Sequence, residues 1–112
     1  MDVGELERNA EAAAKLLKAI SNPRRLMILC RLAEGEKTVG QLEVEMKMRQ
    51  PQLSQQLARL REDGIVMTRR HSRSIYYTLA DGRAEQLIGH LYDMFCTSRP
   101  APQPNRAVSV TD

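Results

Sequence analysis

Gln52, Gln55, Gln56 and Arg59 recur at i, i+3, i+4 and i+7, a spacing that puts all four on one stripe of a helix. Their amides and guanidinium are the groups that pair two-pronged with adenine or guanine edges in a DNA major groove. Gln50 and Ser54 stand in the same segment and complete a set of candidate contacts. Taken alone, the stripe is more economically read as an ordinary solvated helix face. The charge beside it shifts the balance. Residues 49–73 carry Arg49, Arg59, Arg61, Arg69, Arg70 and Arg73 against Glu62 and Asp63, a net +4 in a chain whose total is only +3. Basic charge focused on one helix and the hairpin after it, next to amides that can read bases, is the footprint expected for duplex DNA. Arg69, Arg70 and Arg73 are the candidate phosphate contacts.

The elements that must position these residues can be read from the apolar spacing. Leu53, Leu57 and Leu60 give the Gln/Arg helix a buried stripe; Pro51 suits its first turn and Gly64 its C-terminal end. Upstream, Thr38 followed by Gln41 is a capping-box pattern opening a helix whose buried side is Val39, Leu42 and Met46. A tight turn over Met46–Arg49 joins the two, which is helix-turn-helix geometry. Downstream, Ile75, Tyr77 and Leu79 alternate with Tyr76 and Thr78, as in a half-buried strand. The turn His71-Ser72-Arg73-Ser74 lacks glycine, so a loop of three or more residues is expected there in place of a two-residue turn.

Residues 4–20 read as one helix with Leu6, Ala10, Ala13, Leu17 and Ile20 on a narrow side suited to close packing, in this chain or against a second copy. Ser21 or Asn22 caps a second helix from Pro23 to Ala33, with Leu26, Leu29, Cys30 and Ala33 at core spacing. Arg24 and Arg25 oppose the dipole at its start; a DNA phosphate, an ion pair or plain solvation would each account for them. From Arg83 to Cys96 the helical period returns through Ala84, Leu87, Ile88, Leu91, Tyr92 and Phe95. That is more apolar surface than a small core can cover, and dimerisation through this helix and the first is its natural outlet. The expected fold is mainly α with a small β-hairpin, a winged helix-turn-helix in the order α-α-α-α-β-β-α, spanning residues 1–98. A Pro-rich disordered tail follows at 99–112.

Composition narrows the function classes. The chain has 112 residues, 42% apolar and 28% charged, which suits one soluble domain. With three Tyr, one Phe and no Trp there are too few rings for a single-strand stacking platform. No apolar run approaches a membrane span and the N-terminus lacks signal-peptide order, so a cytoplasmic location is expected. The two cysteines, Cys30 and Cys96, are far apart in sequence, and a reducing compartment does not favour them as a structural staple. The absence of Cys-x-x-Cys weighs against a thiol oxidoreductase, no catalytic constellation is visible, and no cofactor is expected. Each cysteine taken singly is economically read as a small buried hydrophobe.

Three blocks in fixed order, LKAISNPRRLMILCRLAEGEKTVGQL, RQPQLSQQLARLREDGIV and RRHSRSIYYTL, resemble the ArsR family of bacterial winged-helix repressors over about residues 15–96. The resemblance implies a homodimer joined by its first and last helices, bound to operator DNA until an inducer releases it. At the wing tip the chain departs from the family, which often has glycine where Ser72 stands. Branches that sense metal through a Cys-x-Cys box are excluded, since VGQLEVEM has no cysteine. A branch using the last helix would find His90 and Asp93, one turn apart, with Asp81 upstream, a set thin for zinc. Cys30 and Cys96, ending ILC and MFC, resemble the dithiol of the persulfide-sensing branch. This implies that a sulfane-sulfur donor converts one thiol to a persulfide, and that attack by the second gives a disulfide or a longer sulfur bridge. The rivals are a metal-responsive repressor using His90, Asp93 or the cysteines, and a winged-helix interaction module that senses nothing.

Overall fold

Leu53, Leu57 and Leu60 are completely buried and lie at the centre of the molecule, where Ile28, Leu29, Leu42 and Val66 close around them. The structure, a computed structural model, describes residues 1–96. The tail expected at 99–112 lies outside the described residues.

The helices are α1 (Val3–Arg8), α2 (Ala10–Ile20), α3 (Pro23–Ala33), α4 (Val39–Met46), α5 (Gln50–Glu62) and α6 (Gly82–Phe95). The strands are β1 (Lys37–Thr38), β2 (Val66–His71) and β3 (Ser74–Leu79). The helix expected over 4–20 is thus two helices. The break is at Asn9 (φ −109°, ψ 9°), whose side-chain amide donates to the Glu5 carbonyl at 2.8 Å. An Asn side chain that captures a nearby carbonyl competes with the helical ladder. Other ends follow the sequence signals. Asn22 caps α3, its Oδ1 accepting from Arg24 N and Arg25 N, and Thr38 and Gln41 form the full capping box of α4.

The sheet has three antiparallel strands in the order β1-β3-β2. The short linker before α4 supplies the unexpected third strand, Lys37 pairing with Tyr77 and Thr38 with Tyr76. The wing loop is shorter than expected. His71 pairs with Ser74, leaving Ser72 and Arg73 as a two-residue turn, and Ser72 takes the left-handed backbone (φ 59°) that this turn demands. Glycine is the usual occupant of such a position, and a serine there accepts some strain. Pairing along the whole of β2 and β3 over-determines the turn.

Helix α6 packs on α3 and on β3, with Ile88 in the core and Leu87 and Leu91 packed against it. Its other face stays open: Tyr92, Met94 and Phe95 are 60%, 65% and 77% exposed, as are Val3, Leu6 and Leu17 of α1 and α2 to a similar degree. Among the described residues nothing covers these apolar groups. No helix among the described residues is long and apolar enough to cross a membrane.

Candidate nucleic-acid interface and thiol pair

Helix α4 ends at Lys47 in the left-handed region (φ 54°, ψ 40°), and α5 begins three residues later with Pro51 in its first turn. That reversal sets α5 against α4 with its leucines inward. The opposite stripe is then forced outward: Gln50, Gln52, Ser54, Gln55 and Arg59 are exposed and Gln56 is half-buried. The sequence-derived stripe is therefore one continuous polar face, with Arg59 also 3.9 Å from Asp63. Exposed amides on the second helix of such a pair are placed as base-reading groups must be.

The three wing arginines are not equivalent. Arg70 and Arg73 are exposed near the tip. Arg69 is held by Glu36: its Nε donates to Oε2 at 2.8 Å, its second guanidinium nitrogen donates to Oε1, and its plane lies over the Tyr76 ring at 4.9 Å. This hydrogen-bonded pairing holds the Glu36 carboxyl below its ordinary pKa and raises that of Arg69. Arg69 thus fastens the wing to the loop before β1, and would have to leave Glu36 to reach a phosphate. Glu36 was not visible from sequence as a partner, because the pairing spans 33 residues.

Cys30 on α3 and Cys96 at the C-terminal end of α6 are both free thiols, Cys30 half-buried and Cys96 exposed. The packing of α6 on α3 brings them within electrostatic reach of each other. Burial pushes the Cys30 thiol above its ordinary value. Negative charge at Cys96 and then at Glu34 pushes the same way, and Arg31 pulls against them. Near neutral pH Cys30 is therefore a protonated, shielded thiol beside a solvent-facing one.

The surroundings of Cys30 continue into an ion-pair cluster that the sequence did not announce. Lys37 Nζ lies 3.0 Å from Glu45 Oε2 and 3.5 Å from Glu34, and Arg31 Nε is 4.0 Å from Glu45 Oε1. That last oxygen is buried without a hydrogen bond among the described residues, so Arg31 only partly satisfies it. The cluster joins α3, β1 and α4. His71 and His90 are exposed. Among the described residues no group of three or more His, Cys, Asp or Glu side chains is gathered to hold a metal ion.

Comparison with known proteins adds a family to this geometry. Residues 22–68, from the α3 cap into the wing, match the model for the bacterial regulatory proteins of the arsR family. The chain is 48% identical over 110 residues to the biofilm growth-associated repressor of Agrobacterium fabrum, covering 94% of this chain and 91% of that one. Its fold superposes with a TM-score of 0.81 on the crystal structure of the transcriptional repressor BigR from Xylella fastidiosa. The two are 48% identical over 87% of this chain and 99% of that one. A homodimeric winged helix-turn-helix DNA-binding domain from Mycobacterium bovis matches with a TM-score of 0.70 at 27% identity, over 87% of this chain and 93% of that one. Near full-length identity of this order, together with the match over residues 22–68, places the chain in the arsR family of bacterial regulatory proteins.

Proposed function

We propose that the protein is a homodimeric transcriptional repressor, and that reactive sulfur species release it from operator DNA by joining Cys30 to Cys96 within each chain. In the reduced dimer, α5 enters the major groove, where Gln50, Gln52, Ser54, Gln55, Gln56 and Arg59 are the base and backbone contacts. Arg70 and Arg73 of the wing grip flanking phosphates, with Arg69 joining them if it lets go of Glu36. The exposed apolar faces of α1, α2 and α6 support the dimer, since burying them against a second copy covers Leu6, Leu17, Tyr92 and Phe95 together. The names of the relatives and neighbours above support the repressor role.

The observation that carries the sensing role is the convergence of the chain's two cysteines, as free thiols, on helices that pack against each other. Cys96, being exposed, meets a sulfur donor first. With an organic tetrasulfide, each cysteine sulfur displaces one terminal thiol: Cys96 attacks an inner sulfur and releases the first, and Cys30 attacks the resulting chain and releases the second. Two sulfurs remain between the cysteine sulfurs, and the two cysteine protons leave on the departing thiols. With a persulfide, sulfur transfer to Cys96 releases one thiol, and attack by Cys30 on the inner sulfur closes a disulfide and releases hydrogen sulfide. A direct disulfide requires Cα atoms about 4.4–6.8 Å apart with facing side chains, and inserted sulfurs lengthen that reach. With the two sulfurs held beyond that reach, polysulfide is expected to outperform peroxide as an inducer.

Intact mass and operator release, measured together after treatment with an organic polysulfide, test the reading. The reduced dimer should hold DNA, and the treated protein should lose two hydrogens per chain, gain whole sulfur atoms and let go. Cys30→Ser and Cys96→Ser should each bind DNA normally and each fail to release. Release by either single variant, or bridges found only between chains, would overturn the intrachain switch.

A further inference from the structure

We infer that Arg24, Lys47 and Arg49 together form a seat for a DNA backbone phosphate, separate from the wing and from the base-reading face of α5. The twin arginines at the start of α3, equivalent in sequence, divide in the structure. Arg25 is an internal fastener: its Nε donates to the Ala19 carbonyl at 2.7 Å and its second nitrogen to Lys18 O at 3.2 Å, closing the C-terminal end of α2. Arg24 is exposed, and its side chain makes no ion pair or hydrogen bond among the described residues. Lys47, at the left-handed end of α4, and Arg49, before the first turn of α5, are likewise exposed and unpaired among the described residues. Arg49 holds the N-cap position of α5, where a donor-only guanidinium cannot accept from the free N–H groups of the first turn.

These three cations line one cleft of about 630 Å³ with Gln52 of α5, and no carboxylate among the described residues lines it. Its remaining wall includes the thioethers of Met27, Met46 and Met48, which leave the positive charge uncompensated. Arg24 also stands at the positive end of the α3 dipole, an arrangement that works against the helix and is relieved by an anion. Nothing in the packing of the fold calls for three like charges here. What identifies the occupant is continuity: Gln52 belongs both to this cleft and to the exposed stripe that faces the bases. An anion in the cleft therefore lies directly beside the groove that α5 occupies, where a duplex presents its backbone phosphate.

The inference rests on the reading that α5 enters a major groove, and the test separates the two. Binding to the DNA upstream of the protein's own gene, and to a scrambled duplex, is measured across a salt series for the full chain. Variants are Arg24→Ala, Arg49→Ala, the double substitution, and Arg24→Lys. Each phosphate contact given up should shallow the log–log salt slope by about 0.9, hence by about 1.8 for a dimer changed in both half-sites. Because one seat is shared, the double variant should fall short of twice the single effect. Arg24→Lys should retain the wild-type slope, and the preference for the operator over scrambled DNA should stay unchanged throughout. Wild-type slopes in the alanine variants, with folding confirmed by circular dichroism, overturn the seat. So does a loss of operator preference in Arg24→Ala, which would make it a base contact. A wild-type protein that prefers no duplex overturns the groove reading itself and the seat with it.

Discussion

Lys37 Nζ reaches Glu45 Oε2 at 3.0 Å and so ties the edge strand β1 to the last turn of α4, the first helix of the helix-turn-helix. Arg31 and Glu34, the other members of the cluster, act with Cys96 on the Cys30 thiol through their charge. A bridge that moved Cys30 on α3 would thus be felt at α4 through a connected set of charges. Glu45→Gln should leave reduced DNA affinity near wild type and let the thiols bridge, yet weaken the release that bridging causes. Paired measurements of intact mass and operator occupancy check this; full release by the bridged variant would show that the coupling runs elsewhere. The pairing also raises the Lys37 pKa, so its contribution to stability is complete below the ordinary lysine range and is lost as pH climbs through the raised value.

Cys30 should alkylate more slowly than Cys96 at neutral pH, because it is half-buried and its thiol is pushed upward. Its rate should keep rising with pH beyond the ordinary thiol range. In Cys96→Ser that profile should move to lower pH, since one source of repulsion has gone. Mass-resolved alkylation across a pH series reads both effects, and an unmoved profile would mean that the two sulfurs do not sense each other.

The wing and α5 should fail differently. Arg70→Ala or Arg73→Ala should weaken binding to every duplex and shallow its salt dependence. Gln55→Ala or Gln56→Ala should instead relax base choice, at about 1–3 kcal/mol for each two-pronged amide–base pairing removed. The operator should be an imperfect palindrome, as a two-fold dimer presents two equal helices. Competition binding with single-base operator variants separates the two classes.

Glu36→Ala should release Arg69 from the base of the wing. If Arg69 then joins the phosphate contacts, the salt slope of this variant steepens relative to wild type. In the intact protein the pair should persist through neutral pH, because Arg69 holds the Glu36 carboxyl below its ordinary value. Its contribution is present above the usual carboxylate range and lost as pH falls through the lowered value. Chemical shifts of the Arg69 Nε–H during an acid titration report the loss directly.

Ser72→Gly should raise the melting temperature. Relief of a left-handed serine outweighs the extra freedom of glycine in the unfolded chain by about 1 kcal/mol or less, worth up to about 4–8 °C in a domain of this size. A lower Tm would mean that the serine side chain contributes something its backbone strain does not reveal.

Local rules made much of this protein legible in its sequence. The buried faces of α5 and of the middle of α6 follow from 3.6-residue spacing, which is set by the backbone whatever the neighbours. The capping box at Thr38, the cap at Asn22 and the left-handed Gly64 follow from side-chain chemistry acting over a few residues. The basic surplus over 49–73 and the polar stripe of α5 were visible because both are contiguous in sequence. What only the tertiary structure decided depends on partners distant in the chain. Lys37 and Thr38 became a strand because Tyr77 and Tyr76 of β3 offered an open edge, and pairing of β2 with β3 forced a two-residue turn on a serine. Arg24 and Arg25 parted roles because only one lies against the end of α2, and Arg69 turned to Glu36 because β2 runs past that loop. Cys30 and Cys96, 66 positions apart in sequence, came within electrostatic reach of each other through the packing of α6 on α3. Spacing along a chain sets which face a residue occupies, whereas the residue it meets across that face is set by how the elements pack.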